Sequence, residues 1–113
     1  MEHENTGLTK KVLALIEENL QHPQCLTKVE TVILNDEPNY YALFTEEMGV
    51  TPNAYIAKQR LKHAEKLLEQ KELSLKDISK AIGLNGYFEF TQLFKRFNGM
   101  SPASYRNQML KGI

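Results

Sequence analysis

The sequence has a single cysteine, Cys25, among 113 residues, so no internal disulfide can form. That fits a reducing compartment, and a cytoplasmic setting is expected. His3, His22 and His63 are scattered and Cys25 has no partner at ligand spacing, so neither a structural metal nor a cofactor is expected. The polar stretch from Met1 to Gly7 lacks the apolar run of a signal peptide, and no segment is long enough to span a bilayer. A nucleophile–base constellation and a glycine-rich phosphate loop are both missing, which argues against an enzyme. Net charge is missing too, since 14 Lys/Arg balance 14 Asp/Glu. What remains is an ordinary globular composition, 42% hydrophobic, in a chain long enough to bury a core.

The zero net charge hides an asymmetry. Residues 1–57 carry three Lys/Arg against nine Asp/Glu, and residues 58–113 carry eleven against five. A polyanion would therefore be met mainly by the second half.

The chain also repeats itself. Gly49-Val50-Thr51-Pro52-Asn53-Ala54-Tyr55 recurs as Gly99-Met100-Ser101-Pro102-Ala103-Ser104-Tyr105. The same offset of fifty pairs Phe44 with Phe94, Leu43 with Leu93 and Tyr40 with Phe90. Upstream the offset is 49, pairing Leu26 with Leu75, Val29 with Ile78 and Ile33 with Ile82. The slip falls between Ile33 and Asn39 and is read as one extra residue in the first copy. Each copy reads as short helix, turn, longer helix, Gly, helix. Gly49 and Gly99 can take the left-handed conformation that ends a helix. Thr51 and Ser101 are expected to cap the next helix, with Pro52 and Pro102 at its first position. Ser74-Leu75-Lys76-Asp77 resembles a capping box.

Seven helices and no strand are expected, forming an all-α fold of two helix-turn-helix subdomains joined by a long helix. Residues 1–7 are expected to be a flexible N-terminus, 8–50 a degenerate, acidic first subdomain, 51–71 the connecting helix and 72–113 the second subdomain. The connecting helix, read as Pro52 to Gln70, would be roughly 28 Å long. Its Tyr55, Ile56, Leu61, Ala64, Leu67 and Leu68 follow helical spacing.

Ser74–Asn98 has the pattern of a helix-turn-helix. Ile78, Ala81 and Ile82 are expected in the core, Gly83-Leu84-Asn85-Gly86 in the turn, and Asn85 as a cap for a helix over Tyr87–Asn98. At steps of about 100°, Phe90, Leu93, Phe94 and Phe97 share one apolar sector. Opposite lie Phe88, Gln92 and Lys95, flanked by Thr91 and Arg96, on the side a major groove would see. Gln can bind adenine bidentately, and an apolar or Thr side chain can touch a thymine methyl. Lys95 and Arg96 suit phosphates, and the helix N-terminus opened by Ser101 can take another through backbone N–H groups. In the first copy the matching face carries Pro38, Ala42 and Thr45, flanked by Tyr41 and Glu46. Asp36, Glu37, Glu46 and Glu47 make it acidic, and no basic residue lies between positions 29 and 57. Leu34 stands where the second copy has Gly83.

These residues resemble the DNA-binding domain of AraC-type bacterial regulators. The likeness rests on Ile78-Ser79, Gly83-Leu84, Phe90, Phe94-Lys95-Arg96 and the run from Gly99 to Arg106. Arg60-Leu61, Ala64 and Leu67-Leu68 in the connecting helix support it, and the whole covers about residues 9–107. The resemblance implies two helix-turn-helix units entering successive major grooves, with Tyr87, Phe88, Thr91 and Gln92 reading bases. The sequence departs from that pattern at Gln92, where Arg is common, and at Thr45-Glu46 in place of a basic pair. Expected partners are double-stranded DNA and also RNA polymerase or another regulator, with no membrane, for a monomer or weak dimer. The alternative is a protein-interaction module that keeps the fold with weak or no DNA binding.

Overall fold

The computed structural model describes residues 7–34 and 37–111, which hold seven helices and no strand. In chain order these are α1 (Gly7–Asn19), α2 (Cys25–Ile33), α3 (Tyr40–Met48), α4 (Pro52–Leu68), α5 (Leu75–Ala81), α6 (Tyr87–Asn98) and α7 (Pro102–Lys111). The flexible N-terminus expected over residues 1–7 lies outside the described residues except for Gly7, which opens α1. Asp36 also lies outside them.

The repeated Gly-x-Thr/Ser-Pro segment acts the same way twice. Gly49 (φ +77°) and Gly99 (φ +75°) end α3 and α6 in the left-handed conformation, which a side chain would strain. Thr51 Oγ1 accepts the Ala54 N–H at 3.1 Å, and Ser101 Oγ accepts the Ser104 N–H at 3.1 Å. Each hydroxyl satisfies a donor that the first helical turn leaves unpaired.

There are two cores, and α4 serves both. Val12, Ile16, Val29, Ile33, Tyr40 and Phe44 gather around its N-terminal Ile56. Ile78, Ile82, Leu84, Phe90 and Phe94 gather around its Leu61, Ala64 and Leu68. The radius of gyration is 15.8 Å with extents of 48 × 33 × 19 Å, against about 13 Å for a compact chain of this length. Two cores side by side account for the elongation. Cys25 belongs to the first core, its thiol against the Ile16 carbonyl at 3.7 Å. Burial pushes that thiol's pKa up, as suits a packing residue rather than a nucleophile.

Two arginines close the ends of helices they do not belong to. Arg60 of α4 donates from Nε to the Leu20 carbonyl at 3.1 Å and from Nη2 to the His22 carbonyl at 2.7 Å, just beyond α1. Arg106 of α7 donates likewise to the Leu68 and Gln70 carbonyls at 3.0 and 3.1 Å, at the end of α4. A cation at a helix C-terminus meets both unpaired carbonyls and the negative end of the helix dipole.

Several expectations need correction. Ala81 is exposed, and Ser79 takes the buried place on α5 beside Ile78. Phe97 is 48% exposed, since the second core that holds Phe90 and Phe94 does not reach it. Gly86, in extended conformation, caps α6 without a side-chain bond, so Asn85 does not serve. The connecting helix stops at Leu68 rather than Gln70. The slip in the repeat runs the other way. Ile33 and Tyr40 are seven positions apart and Ile82 and Phe90 eight, with all four buried. The longer turn belongs to the second unit.

Candidate nucleic-acid interface

The second helix-turn-helix starts where Ser74 Oγ accepts the Asp77 N–H at 3.0 Å and launches α5. The turn reverses at Gly83 (φ +88°), and Leu84 folds back, its N–H donating to the Ser79 carbonyl at 3.0 Å. Leu84 is 5% exposed and so locks the turn onto the core. Helix α6 is then fixed from beneath. Phe90 and Phe94 are fully buried, with ring centroids 5.8 Å apart and planes at 80°. Phe94 meets Tyr105 of α7 edge-on at 5.3 Å. Each such ring pair is worth about 0.5–1.5 kcal/mol beyond its area burial, so α6 presents its outer face from a rigid seat.

That outer face carries Phe88, 76% exposed, with Gln92, Lys95 and Arg96 exposed along the same helix. Tyr87 is 42% exposed at the helix start. Leaving a Phe this open forfeits about 1.5–3 kcal/mol of burial, so Phe88 contributes little to the core beneath α6. Lys95 and Arg96 fall in the last turn, near the negative end of the helix dipole.

Two candidates differ from the others. Thr91 is half-buried, and its hydroxyl is covered by protein with no hydrogen-bond partner. The Ser101 hydroxyl caps α7 and donates to Ser104 Oγ at 3.1 Å. Its contribution to an anion would come through the helix end it organises.

The matching helix of the first unit offers a different surface. Thr45, equivalent to Lys95, is half-buried, and its hydroxyl donates to its own helix at the Tyr41 carbonyl, 2.8 Å away. Ala42 and Glu46 are exposed, as is Glu37 ahead of the helix. Beneath this face, Tyr40 is buried and its hydroxyl donates to the Glu30 carboxylate. Burial first, then the neighbouring Glu30, pushes the Tyr40 phenol well above its ordinary value.

A helix-turn-helix domain family matches residues 37–108. The probable transcription factor PqrA of Proteus vulgaris is 30% identical over 103 residues, which are 88% of this chain and 84% of that protein. The chain belongs to the AraC-type family of helix-turn-helix, DNA-binding transcriptional regulators. This AraC-type chain is also 32% identical over 91 residues to the probable transcriptional regulator LumQ of Photobacterium leiognathi, covering 80% of the chain but 37% of LumQ. It spans about a third of the length of LumQ and of two Bacillus subtilis regulators. Among solved structures it shares the fold of the C-terminal domain of AraT, a response regulator from Geobacillus stearothermophilus. The TM-score is 0.85 at 22% identity, over 94% of this chain and 88% of that one. The DNA-binding domain of AdpA, solved in complex with a target DNA, gives 0.77 at 22% identity over 90% and 92%. No helix among the described residues is long and apolar enough to cross a membrane.

Proposed function

We propose that this protein binds double-stranded DNA sequence-specifically, with α6 in the major groove and the second unit dominating affinity. The observation that carries this is the outer face of α6. Phe88 stands open to solvent beside Gln92, Lys95 and Arg96, on a helix whose other side is pinned by Phe90 and Phe94. In this reading Tyr87, Phe88 and Gln92 contact bases, with the Thr91 methyl beside them, while Lys95 and Arg96 hold phosphates. Residue Ser101 orders the end of α7 that faces a further phosphate. The work divides as residues 8–50 for the first unit, 51–71 for the connection and 72–113 for reading. The protein acts in the cytoplasm as a monomer or weak dimer, with RNA polymerase or another regulator as a further partner.

Fluorescence anisotropy against a random duplex pool, over about 50–200 mM salt, tests the reading. Lys95→Ala with Arg96→Ala is expected to flatten the dependence of log affinity on log salt by about 2. An unchanged slope in the double variant sinks the assignment.

A second reading has its own observation. Val32 and Leu34 are 45% and 44% exposed at the end of α2, beside the exposed carboxylate of Glu37. An acidic and apolar surface of this kind suits protein contact. Retained partner binding with no DNA shift at low salt would favour that role over the first.

A further inference from the structure

In the first unit α1 packs on α2 and α3, which pack in turn on α4; in the second α5 and α7 each pack on α4 and on α6. None of α1, α2 or α3 packs extensively on α5, α6 or α7. A crevice of about 390 Å³ separates the two units, with Pro23, Leu26 and Asn53 on one wall and Leu84, Glu89 and Leu93 on the other. Shared apolar packing therefore does little to fix one unit against the other beyond their common attachment to α4. A polar contact from the shared α4 lies at this junction. Arg60, 9% exposed, reaches the Leu20 and His22 carbonyls of the first unit with its guanidinium. Those carbonyls sit in an ordered turn, where the His22 N–H donates to the Asn19 carbonyl at 2.8 Å and His22 Nδ1 accepts the Gln24 N–H at 3.0 Å.

Gly83, in the turn of the second unit, presses on this same contact. A Cβ added there would lie 2.7 Å from the Leu20 oxygen, 2.9 Å from Arg60 Nη2 and 3.0 Å from Arg60 Nε. The nearest of these is backbone, so the glycine is needed for the close approach as well as for its φ of +88°. The guanidinium is thus held between the end of α1 and the turn that leads into α6. Burial lowers its pKa, while Cys25 and Glu89 act in the opposite sense. It remains a cation with its fork occupied.

We propose that Arg60, seated on the Leu20 and His22 carbonyls and roofed by Gly83, is the positioning residue that sets the orientation of one helix-turn-helix unit against the other. It fixes where the acidic α3 stands when α6 engages DNA. The second clause rests on the DNA reading of α6; the orientation itself does not. The two turns are not interchangeable in this respect. Leu34, equivalent to Gly83, has right-handed backbone and is 44% exposed, where Gly83 is left-handed and buried.

Residual dipolar couplings of the amides test the pin in the full chain. In the parent, couplings from α2–α3 and from α5–α6 are expected to fit one alignment tensor. In Gly83→Ala and in Arg60→Ala, each unit's couplings should still fit its own helices, but the shared tensor should be lost. Arg60→Lys, which keeps the charge and can donate to one carbonyl at a time, should restore part of the agreement, and it carries the test if Arg60→Ala unfolds. A single tensor with the parental orientation in both Gly83→Ala and the Arg60 variant overturns the proposal. Anisotropy with the random duplex pool is run in parallel. A parent that fails to bind DNA defeats the proposed function while leaving the coupling result to decide the pin.

Discussion

At equivalent positions the two helix-turn-helix units bury similar side chains and show solvent opposite charges. Phe44 and Phe94 are both core residues beneath the second helix of their unit, each edge-on to the tyrosine of the repeated motif, Tyr55 or Tyr105. Directly after these phenylalanines, Thr45-Glu46 of the first unit stands where the second has Lys95-Arg96. A fold of this kind is specified by its inward positions, and the outward ones are free to diverge. The comparison also reaches the interior. Tyr40 and its bonded Glu30 in the first unit correspond to Phe90 and Ser79 in the second, where Ser79 Oγ is buried without a hydrogen bond. One unit keeps a polar pair, and the other keeps only half of one.

The largest expected effect tests the shared skeleton. Phe44→Ala and Phe94→Ala should each cost about 3–5 kcal/mol in urea unfolding. A loss under about 1 kcal/mol at either site, far below what a buried Phe truncation costs, would mean that the two cores are not equivalent. The next tests the opposed surfaces. Thr45→Lys with Glu46→Arg gives α3 the cations of α6, and if α3 lies close to the duplex the salt slope should steepen by up to about 2. No change would place α3 away from the backbone. Gln92→Ala should cost about 1–3 kcal/mol on the preferred sequence and relax base preference there.

The smallest effects test the interior pair. Ser79→Ala removes a buried hydroxyl that has no partner, so stability should hold or rise by about 1 kcal/mol. Tyr40→Phe should lower stability at neutral pH, because Glu30 loses its donor. The folded Tyr40 pKa is raised by burial and Glu30, so the pair's contribution is complete below the unfolded value, near 10. It is then lost as pH rises toward the folded value. The melting temperature of the parent should fall above about pH 10, and that of Tyr40→Phe should fall less steeply. Tyr105, raised by burial and Glu65, leaves some alkaline sensitivity in both.

What the sequence revealed was local or periodic. The Gly-x-Thr/Ser-Pro motif carries its own helix stop, cap and start within four residues, so both copies could be read without tertiary knowledge. The outward stripe of Phe88, Gln92, Lys95 and Arg96 followed from helical spacing alone. Periodicity failed at Phe97, because an apolar sector says which way a side chain points and not how far the covering helices extend. Nor does periodicity fix how deep a flanking position sits, and Thr91 is half-buried with its hydroxyl covered. Arg60 left no signal for its role. Its partners are backbone carbonyls 38 and 40 residues away, and any residue type at those positions would supply them.

The sharing of α4 has a consequence for how the chain is made. The first core is complete once Ile56 has emerged from a ribosome, whereas the second still lacks Tyr105 and the Arg106 clamp on the end of α4. At about 5–20 residues per second, the interval is about 2–10 s. Within it Leu61, Ala64 and Leu68 of α4 emerge ahead of Ile78, Ile82, Phe90 and Phe94, the side chains that cover them in the second core. The first unit can therefore close its core while the second still waits for α7, whose Tyr105 and Arg106 complete the packing around Phe94 and the end of α4.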